Sequence, residues 1–120
     1  MLTFDELVEV LCEEIQNRLS KKGEHYAKGR DDRFHQFKQI SSLTSLTPAQ
    51  VCFVLMEKHH SLLADRVMSD DLTSDLLCET IPDILCYLFL LYGLIREHIW
   101  EALSCMEEKS RQQEAETSTS

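Results

Sequence analysis

Apolar residues recur every three or four positions along most of this chain, which is the period of an amphipathic α-helix. Ahead of the first such segment, Thr3 and Glu6 stand in the order of a capping box, a pattern typical of a helix N-terminus. We therefore expect a first helix from about Phe4 to Lys22 that ends at Gly23. Its apolar face is formed by Leu7, Val10, Leu11, Ile15 and Leu19.

A second long helix is predicted from about Thr47 to Met68. Thr47 offers an N-cap hydroxyl, Pro48 suits the first helical position, and Gln50 completes a capping box. This is the strongest local signal in the chain.

A short helix is predicted upstream, from about Arg33 to Ser42, because Phe34, Phe37 and Ile40 repeat every three residues. We interpret Phe34 and Phe37 as the side chains that anchor this helix in the core. The segment that follows is rich in Ser and Thr and is interpreted as a linker.

The last helix is predicted to begin near Thr73 and to reach about Glu97, or Glu108 if its pattern continues. Pro82 lies inside it and removes one backbone donor. We favour one helix with a kink at Pro82; the alternative is a new helix N-terminus at Thr80–Asp83.

All four predicted elements are helical, and only three Gly and two Pro interrupt the chain. The predicted fold class is therefore all-α, a helical bundle of three long helices plus a short helix. We expect residues 1–106 to form a single helical domain. The polar segment 107–120 is predicted to be a disordered C-terminal tail.

The apolar run Ile84–Ile95 contains 12 residues, whereas a bilayer span needs about twenty. Asp83 and Arg96 bracket the run. We interpret it as a helix buried on most sides and not as a membrane anchor. Its apolar face exceeds what one small bundle must bury, so we expect a homo-oligomer.

The formal net charge is -9, which argues against binding of extended nucleic acid, because its phosphates need a basic face. Half of the cations, six of 12, nevertheless lie in the segment Lys21–Lys38. A cationic, aromatic segment on an acidic body is a candidate anion-binding site. Its candidate phosphate- or base-binding residues are Tyr26, Arg30 and Arg33, joined by Lys58 from the second long helix.

Carboxylates on neighbouring helices form a second candidate site. Glu79 and Asp83 are four residues apart and so share a helix face; Glu57 and Asp65 roughly share one on the preceding helix. Asp65, Glu79 and Asp83 are the candidate Mg²⁺ ligands, and Glu79 and Asp83 the candidate catalytic residues. The alternative is ordinary charge on solvated helix faces. For Arg33, likewise, an ion pair within the chain is the alternative.

The five cysteines are odd in number and form no CxxC pair. Each falls in an apolar, helical pattern, so we expect reduced, buried thiols in a cytoplasmic protein. Met1 leads directly into an acidic amphipathic segment without the pattern of a signal peptide, which also predicts a cytoplasmic location.

The order of several motifs over about residues 5–97 resembles small phage and prophage proteins related to the MazG-like all-α nucleotide pyrophosphohydrolases. It is also similar to a nucleotide-modification-associated domain of phage genomes. The motifs that carry the resemblance are Lys22, Tyr26, Asp31–Phe34, Phe37, Thr47-Pro48, Glu57-Lys58-His59, Asp65, Glu79, Asp83, Tyr87, Leu90 and Leu91.

The resemblance implies an oligomeric bundle in which carboxylates hold Mg²⁺ while water attacks a nucleoside triphosphate. Active members carry E-x-x-E on the second helix, whereas Glu57 here is followed by Lys58–His60; Glu79 and Asp83 are spaced by four residues instead of three. We therefore expect nucleotide binding, with at most weak Mg²⁺-dependent hydrolysis. The alternative is a catalytically inactive phage protein that inhibits or sequesters a host or defence factor.

Overall fold

The structure, a computed structural model, describes residues 1–27 and 34–118, with the side chains of 21–27 and 117–118 outside the description. Its elements are α1 (Phe4–Ala27), α2 (His35–Leu43), α3 (Pro48–Met68), a π-helix (Leu76–Thr80) and α4 (Ile81–Ser118). No strand occurs in these two ranges, so the all-α class with three long helices and one short helix is confirmed.

The first helix, α1, begins as predicted and ends later. The backbone N–H of Glu6 donates to Thr3 Oγ1 at 3.2 Å, which is the hydroxyl half of the expected capping box. The helix continues through Gly23 to Ala27, so the predicted end at Lys22 is wrong. A glycine inside a helix costs only about 1 kcal/mol relative to alanine, which does not by itself end the helix.

The N-terminus of α3 confirms the capping box. The Gln50 backbone N–H donates to Thr47 Oγ1 at 3.2 Å, and the Thr47 backbone N–H donates to Gln50 Oε1 at 2.9 Å. Beyond the C-terminal end of α3, Asp70 adopts a left-handed backbone with φ 57°. Arg66 fastens this turn through an ion pair to Asp71 at 3.0 Å.

The core lies where α2, α3 and α4 meet. Its buried side chains come from all three helices: Phe37, Val51, Cys52 and Leu94. Phe34 packs against this cluster, so the interpretation of Phe34 and Phe37 as anchors is confirmed. The Phe34 ring lies so close to α4 that a Cβ on Gly93 would stand 2.6 Å from Phe34 Cζ. Any larger residue at position 93 would collide with the Phe34 ring unless the ring moved.

The apolar run of α4 is not buried on most sides, and that interpretation is wrong. Leu94 is buried, but Leu88, Phe89, Tyr92 and Ile95 are exposed. Among the described residues, α4 packs mainly on α3 and also on α1, while Phe37 of α2 shares the core with Leu94. This packing leaves the opposite side of α4 uncovered.

By length and composition alone, the continuous helix Leu76–Glu116 is able to cross a membrane. Its most apolar window has a mean hydropathy of 1.6, and 22% of that window is buried in the fold. The expectation that the chain has no membrane anchor stays a prediction.

The segment from Glu107, for which disorder was predicted, is helical to Ser118. Its described side chains are all exposed. The residues here are mainly Glu, Gln, Lys, Arg and Ala, which have high intrinsic helix propensity. The division of the chain into a domain and a tail stays a prediction.

The five thiols are free, but three of them are exposed, so the expectation that all are buried is wrong. Cys12, Cys78 and Cys105 are exposed; Cys52 and Cys86 are buried. Burial raises the pKa of Cys52 to about 11, because the thiolate is poorly solvated inside the core. Cys52 also donates through Sγ to the Tyr87 carbonyl at 3.5 Å.

Titration of the folded protein with a disulfide reagent at pH 8 is therefore expected to modify three thiols quickly and two slowly. The thiolate is the reactive form, and at this pH about 0.1% of a thiol with the pKa of Cys52 is ionised. Under denaturing conditions all five should react. Cys105→Ser should remove one fast equivalent and Cys52→Ser none; four or more fast equivalents in the unmodified chain would contradict the burial of Cys52 and Cys86.

Candidate functional site

A polar site joins α1 to the beginning of α4, and its centre is Arg18. Arg18 Nη1 donates to Asp83 Oδ1 at 3.1 Å. Arg18 Nη2 and Nε donate to Glu14 Oε1 at 2.9 and 3.2 Å. Arg18 Nη2 also donates to the backbone carbonyl of Cys78. One guanidinium thus binds acceptors from three elements, α1, the π-helix and α4, which fits its fixed fork of five N–H donors.

Pro82 explains why a carbonyl of the helix is open to this contact. Proline has no N–H, so the carbonyl of Cys78, four residues earlier, lacks its usual α-helical donor. Around it the backbone forms the π-helix Leu76–Thr80, in which the Ile81 N–H donates to the Leu76 carbonyl five residues back. The helix is continuous through Pro82, as favoured from the sequence, and its irregularity is this π-helical turn.

The site is partly shielded from solvent, since the side chains of Arg18 and Asp83 are 25% and 23% exposed. Burial by itself lowers the pKa of Arg18, but the hydrogen bond to Glu14 and the charges of Glu14 and Asp83 outweigh it and raise the pKa. The guanidinium therefore remains charged, and it engages the carboxylate that the sequence offers as a metal ligand. The arrangement acts as a clamp between α1 and α4.

The predicted metal ligands do not form a ligand set in the structure. Asp65 on α3 and Glu79 in the π-helix are exposed, while Asp83 is paired with Arg18. Among the described His, Cys, Asp and Glu side chains, no group of three or more could hold a metal ion. A resident Mg²⁺ ion needs converging oxygen ligands at about 2 Å; the metal-binding roles of these three carboxylates stay predictions.

The predicted anion-binding residues are only partly covered by the structure. Arg30 and Arg33 lie outside the described residues, and for Tyr26 only its backbone place near the end of α1 is described. Lys58 is exposed on α3. The neighbouring His59 ring lies 5.6 Å from the Tyr87 ring, centroid to centroid, and so connects α3 to α4. The roles assigned to these four residues stay predictions.

A cleft of about 310 Å³ lies between α2, the N-terminal end of α3, and α4. Lys38 Nζ donates to Glu97 Oε1 at 2.9 Å across it. Leu94 and Ile95 give the cleft an apolar wall, and His98 and Glu101 add polar groups. This cleft was not predicted from the sequence, because the residues that line it come from three separate segments.

Arg18 and Glu14 are not among the site residues predicted from the sequence. Their spacing of four residues on a helix is a readable signal for an ion pair. Nothing local links them to Asp83, which lies 65 residues away from Arg18 in the chain.

No protein-family model, curated protein or solved structure matches this chain.

Proposed function

We propose that this chain binds a nucleotide through the cationic segment that connects α1 to α2, as a MazG-like helical protein. The observation that carries the proposal is how the segment is attached. On its N-terminal side, Arg18 fixes α1 to Asp83 at the beginning of α4. On its C-terminal side, the Phe34 ring packs on α4 at Gly93. Arg30 and Arg33 thus belong to a short connection between two anchored helices.

The described residues on both sides of residues 28–33 are therefore attached to the same helix, α4. Guanidinium groups suit phosphate, which accepts two parallel hydrogen bonds. The chain as a whole is acidic, with a net charge of -9, so this locally cationic segment is the natural place for a small anion. The resemblance to nucleotide-directed proteins makes a nucleotide the anion we propose, with Tyr26 stacking on the base and Lys58 contacting phosphate.

We propose hydrolysis only as a slow, secondary activity. A Mg²⁺ ion bound to Asp83 would have to compete with the guanidinium of Arg18, 3.1 Å from its carboxylate oxygen. Magnesium can still arrive as the counter-ion of a nucleotide triphosphate, without a resident site in the protein. We therefore propose binding as the main activity and Mg²⁺-dependent release of pyrophosphate, through Glu79 and Asp83, as a slow one.

The test is the thermal unfolding of the chain with a panel of nucleoside and deoxynucleoside triphosphates, each with and without Mg²⁺. A nucleotide at a hundredfold excess over its Kd should stabilise the fold by about 2.7 kcal/mol. The variant Arg30→Gln/Arg33→Gln should lose this shift. The control Lys109→Gln/Arg111→Gln removes the same charge from the exposed end of α4 and should keep it.

Absence of a shift with every nucleotide, in both magnesium conditions, would rule the proposal out. Equal loss of the shift in both double variants would show that only net charge matters. Pyrophosphate release from the nucleotide that binds most tightly is then compared between the unmodified chain and Glu79→Gln. A lower rate in the variant would support a role of Glu79 in hydrolysis.

A second candidate function is a non-enzymatic interaction protein that sequesters a basic host or defence factor. It is favoured by one observation, the exposed and mostly acidic end of α4 in a molecule that extends over 71 Å. An acidic surface can compete with nucleic acid for a basic partner. Capture of a basic, nucleic-acid-binding protein from host lysate at physiological salt, lost when residues 107–120 are deleted, would support it.

A further inference from the structure

The longest helix, α4, is apolar on two opposite sides, and the chain covers one of them. Leu94 is buried against Phe37 of α2 and Val51 of α3. Tyr92, two residues and therefore about 200° away around the helix, is 64% exposed. Ile99, on the same side as Tyr92, is 53% exposed. A helix that is apolar on all sides is normally covered on all sides.

The exposed side has the spacing of a coiled-coil seam. Its residues are separated alternately by four and three positions, so that two rows each repeat every seven residues. All are exposed in the structure. We call these six residues the outer seam: Leu88, Tyr92, Ile95, Ile99, Ala102 and Met106.

The surface area of the chain is far larger than a compact monomer of this mass would have. It is 9438 Å², against about 6,700 Å² expected from the scaling of surface with mass. The radius of gyration is 19.9 Å, against about 14 Å for a compact domain of this length. The difference in area exceeds the roughly 800 Å² that each partner buries in a standard stable interface.

We propose that the outer seam of α4 packs against the outer seam of a second copy of this chain. A seam with seven-residue spacing is complementary to itself, since each knob of one helix fits between four residues of the other. A twofold axis then covers the same apolar surface on both copies at once. The proposal does not depend on nucleotide binding.

A lipid surface suits the outer seam less well. Helices that lie on membranes carry cationic flanks that bind anionic headgroups. Residues 101–116 of α4 instead carry five Glu against two cations, Lys109 and Arg111, and are net acidic. Full insertion would also separate α4 from its neighbours, breaking the Lys38–Glu97 ion pair of 2.9 Å and the core around Leu94. A second copy covers the seam without either cost.

The test measures the mass of the full chain in solution by sedimentation equilibrium and light scattering between about 1 and 100 μM. The expected mass is twice the chain mass of 13.9 kDa. Ile99→Lys places a charge in the seam and should raise the dissociation constant at least a hundredfold. Because Ile99 is exposed in the monomer, this variant should keep its helix content by circular dichroism.

Leu62→Lys is the matched control, since Leu62 is an equally apolar, exposed residue on α3 outside the outer seam; this variant should remain dimeric. A monomeric mass for the unmodified chain at every concentration would overturn the proposal. So would dissociation by Leu62→Lys but not by Ile99→Lys. Flotation of a monomeric chain with phosphatidylcholine vesicles, abolished by Ile99→Lys, would assign the seam to lipid instead.

Discussion

Phe37→Ala is expected to lower the free energy of unfolding by about 3–5 kcal/mol. Phe37 is 5% exposed and lies in the core that α2 shares with α3 and α4. Removing the ring leaves a cavity that the surrounding side chains can only partly fill. It also removes the buried side chain by which α2 packs in the core. Because the stability of a domain is typically about 5–15 kcal/mol, this one change can remove a large part of it.

The measurement is urea unfolding followed by circular dichroism, at one protein concentration for all variants. Phe4→Ala is the control, since it deletes the same ring from a position that is 77% exposed and should change stability by less than about 0.5 kcal/mol. Similar losses for the two variants would contradict the placement of the core. An intact nucleotide-induced shift in Phe37→Ala would show that anchoring of α2 is not needed for binding.

The second prediction concerns the clamp between α1 and α4. Arg18→Met keeps an unbranched apolar stem and removes the charged guanidinium, leaving Asp83, Glu14 and the Cys78 carbonyl without their shared donor. We expect a loss of about 2–3 kcal/mol, below the range for fully buried pairs because Arg18 and Asp83 are about a quarter exposed. Urea unfolding measures this loss.

Lys38→Met provides the comparison for this clamp. It breaks the Lys38–Glu97 pair, whose side chains are 40% and 37% exposed, and should cost at most about 1 kcal/mol. If the two variants cost the same, Arg18 acts as an ordinary surface cation. Asp83→Asn removes the carboxylate and leaves Arg18 in place. It should lower the free energy of unfolding whether or not the chain hydrolyses a nucleotide, so this measurement reports the structural role of Asp83 alone.

The clamp also bears on how Asp83 is interpreted. In the sequence, Glu79 and Asp83 form a carboxylate pair of the kind that binds metal. In the structure, Asp83 is bound by the guanidinium of Arg18. The same guanidinium donates to the Cys78 carbonyl, which Pro82 leaves without its α-helical donor. A carboxylate that satisfies a structural cation is less available to a metal ion, because the ion must first displace the cation.

The positions of the helices were predictable because the signals that place them are local. The capping box at Thr47 and Gln50 and the apolar period of α3 depend only on neighbouring residues, and α3 has the predicted span. The end of α1 was not predictable in the same way. Glycine often follows the last residue of a helix, so Gly23 resembles a stop signal. One glycine inside a helix costs only about 1 kcal/mol, however, and α1 continues through Gly23 to Ala27.

The candidate site was less predictable, because its contacts join residues that are distant in the chain. Glu14 and Arg18 are readable as a helical pair, yet only the packing of α1 on α4 brings them to Asp83 and to the Cys78 carbonyl. Conversely, the spacing of Asp65, Glu79 and Asp83 suggested a shared ion, but residues on adjacent helices converge only if both faces point to the same space.

The sequence by itself determined that this protein is helical, where its helices lie and that α4 is more apolar than a single small bundle requires. Hydrogen bonding and side-chain periodicity along a helix are local, so the order of residues is enough to specify them. Only the tertiary structure decided which side of α4 faces the core, leaving the outer seam exposed, and which acceptors Arg18 binds. Those outcomes depend on how separate helices pack against one another, and the order of residues along one helix does not specify that packing.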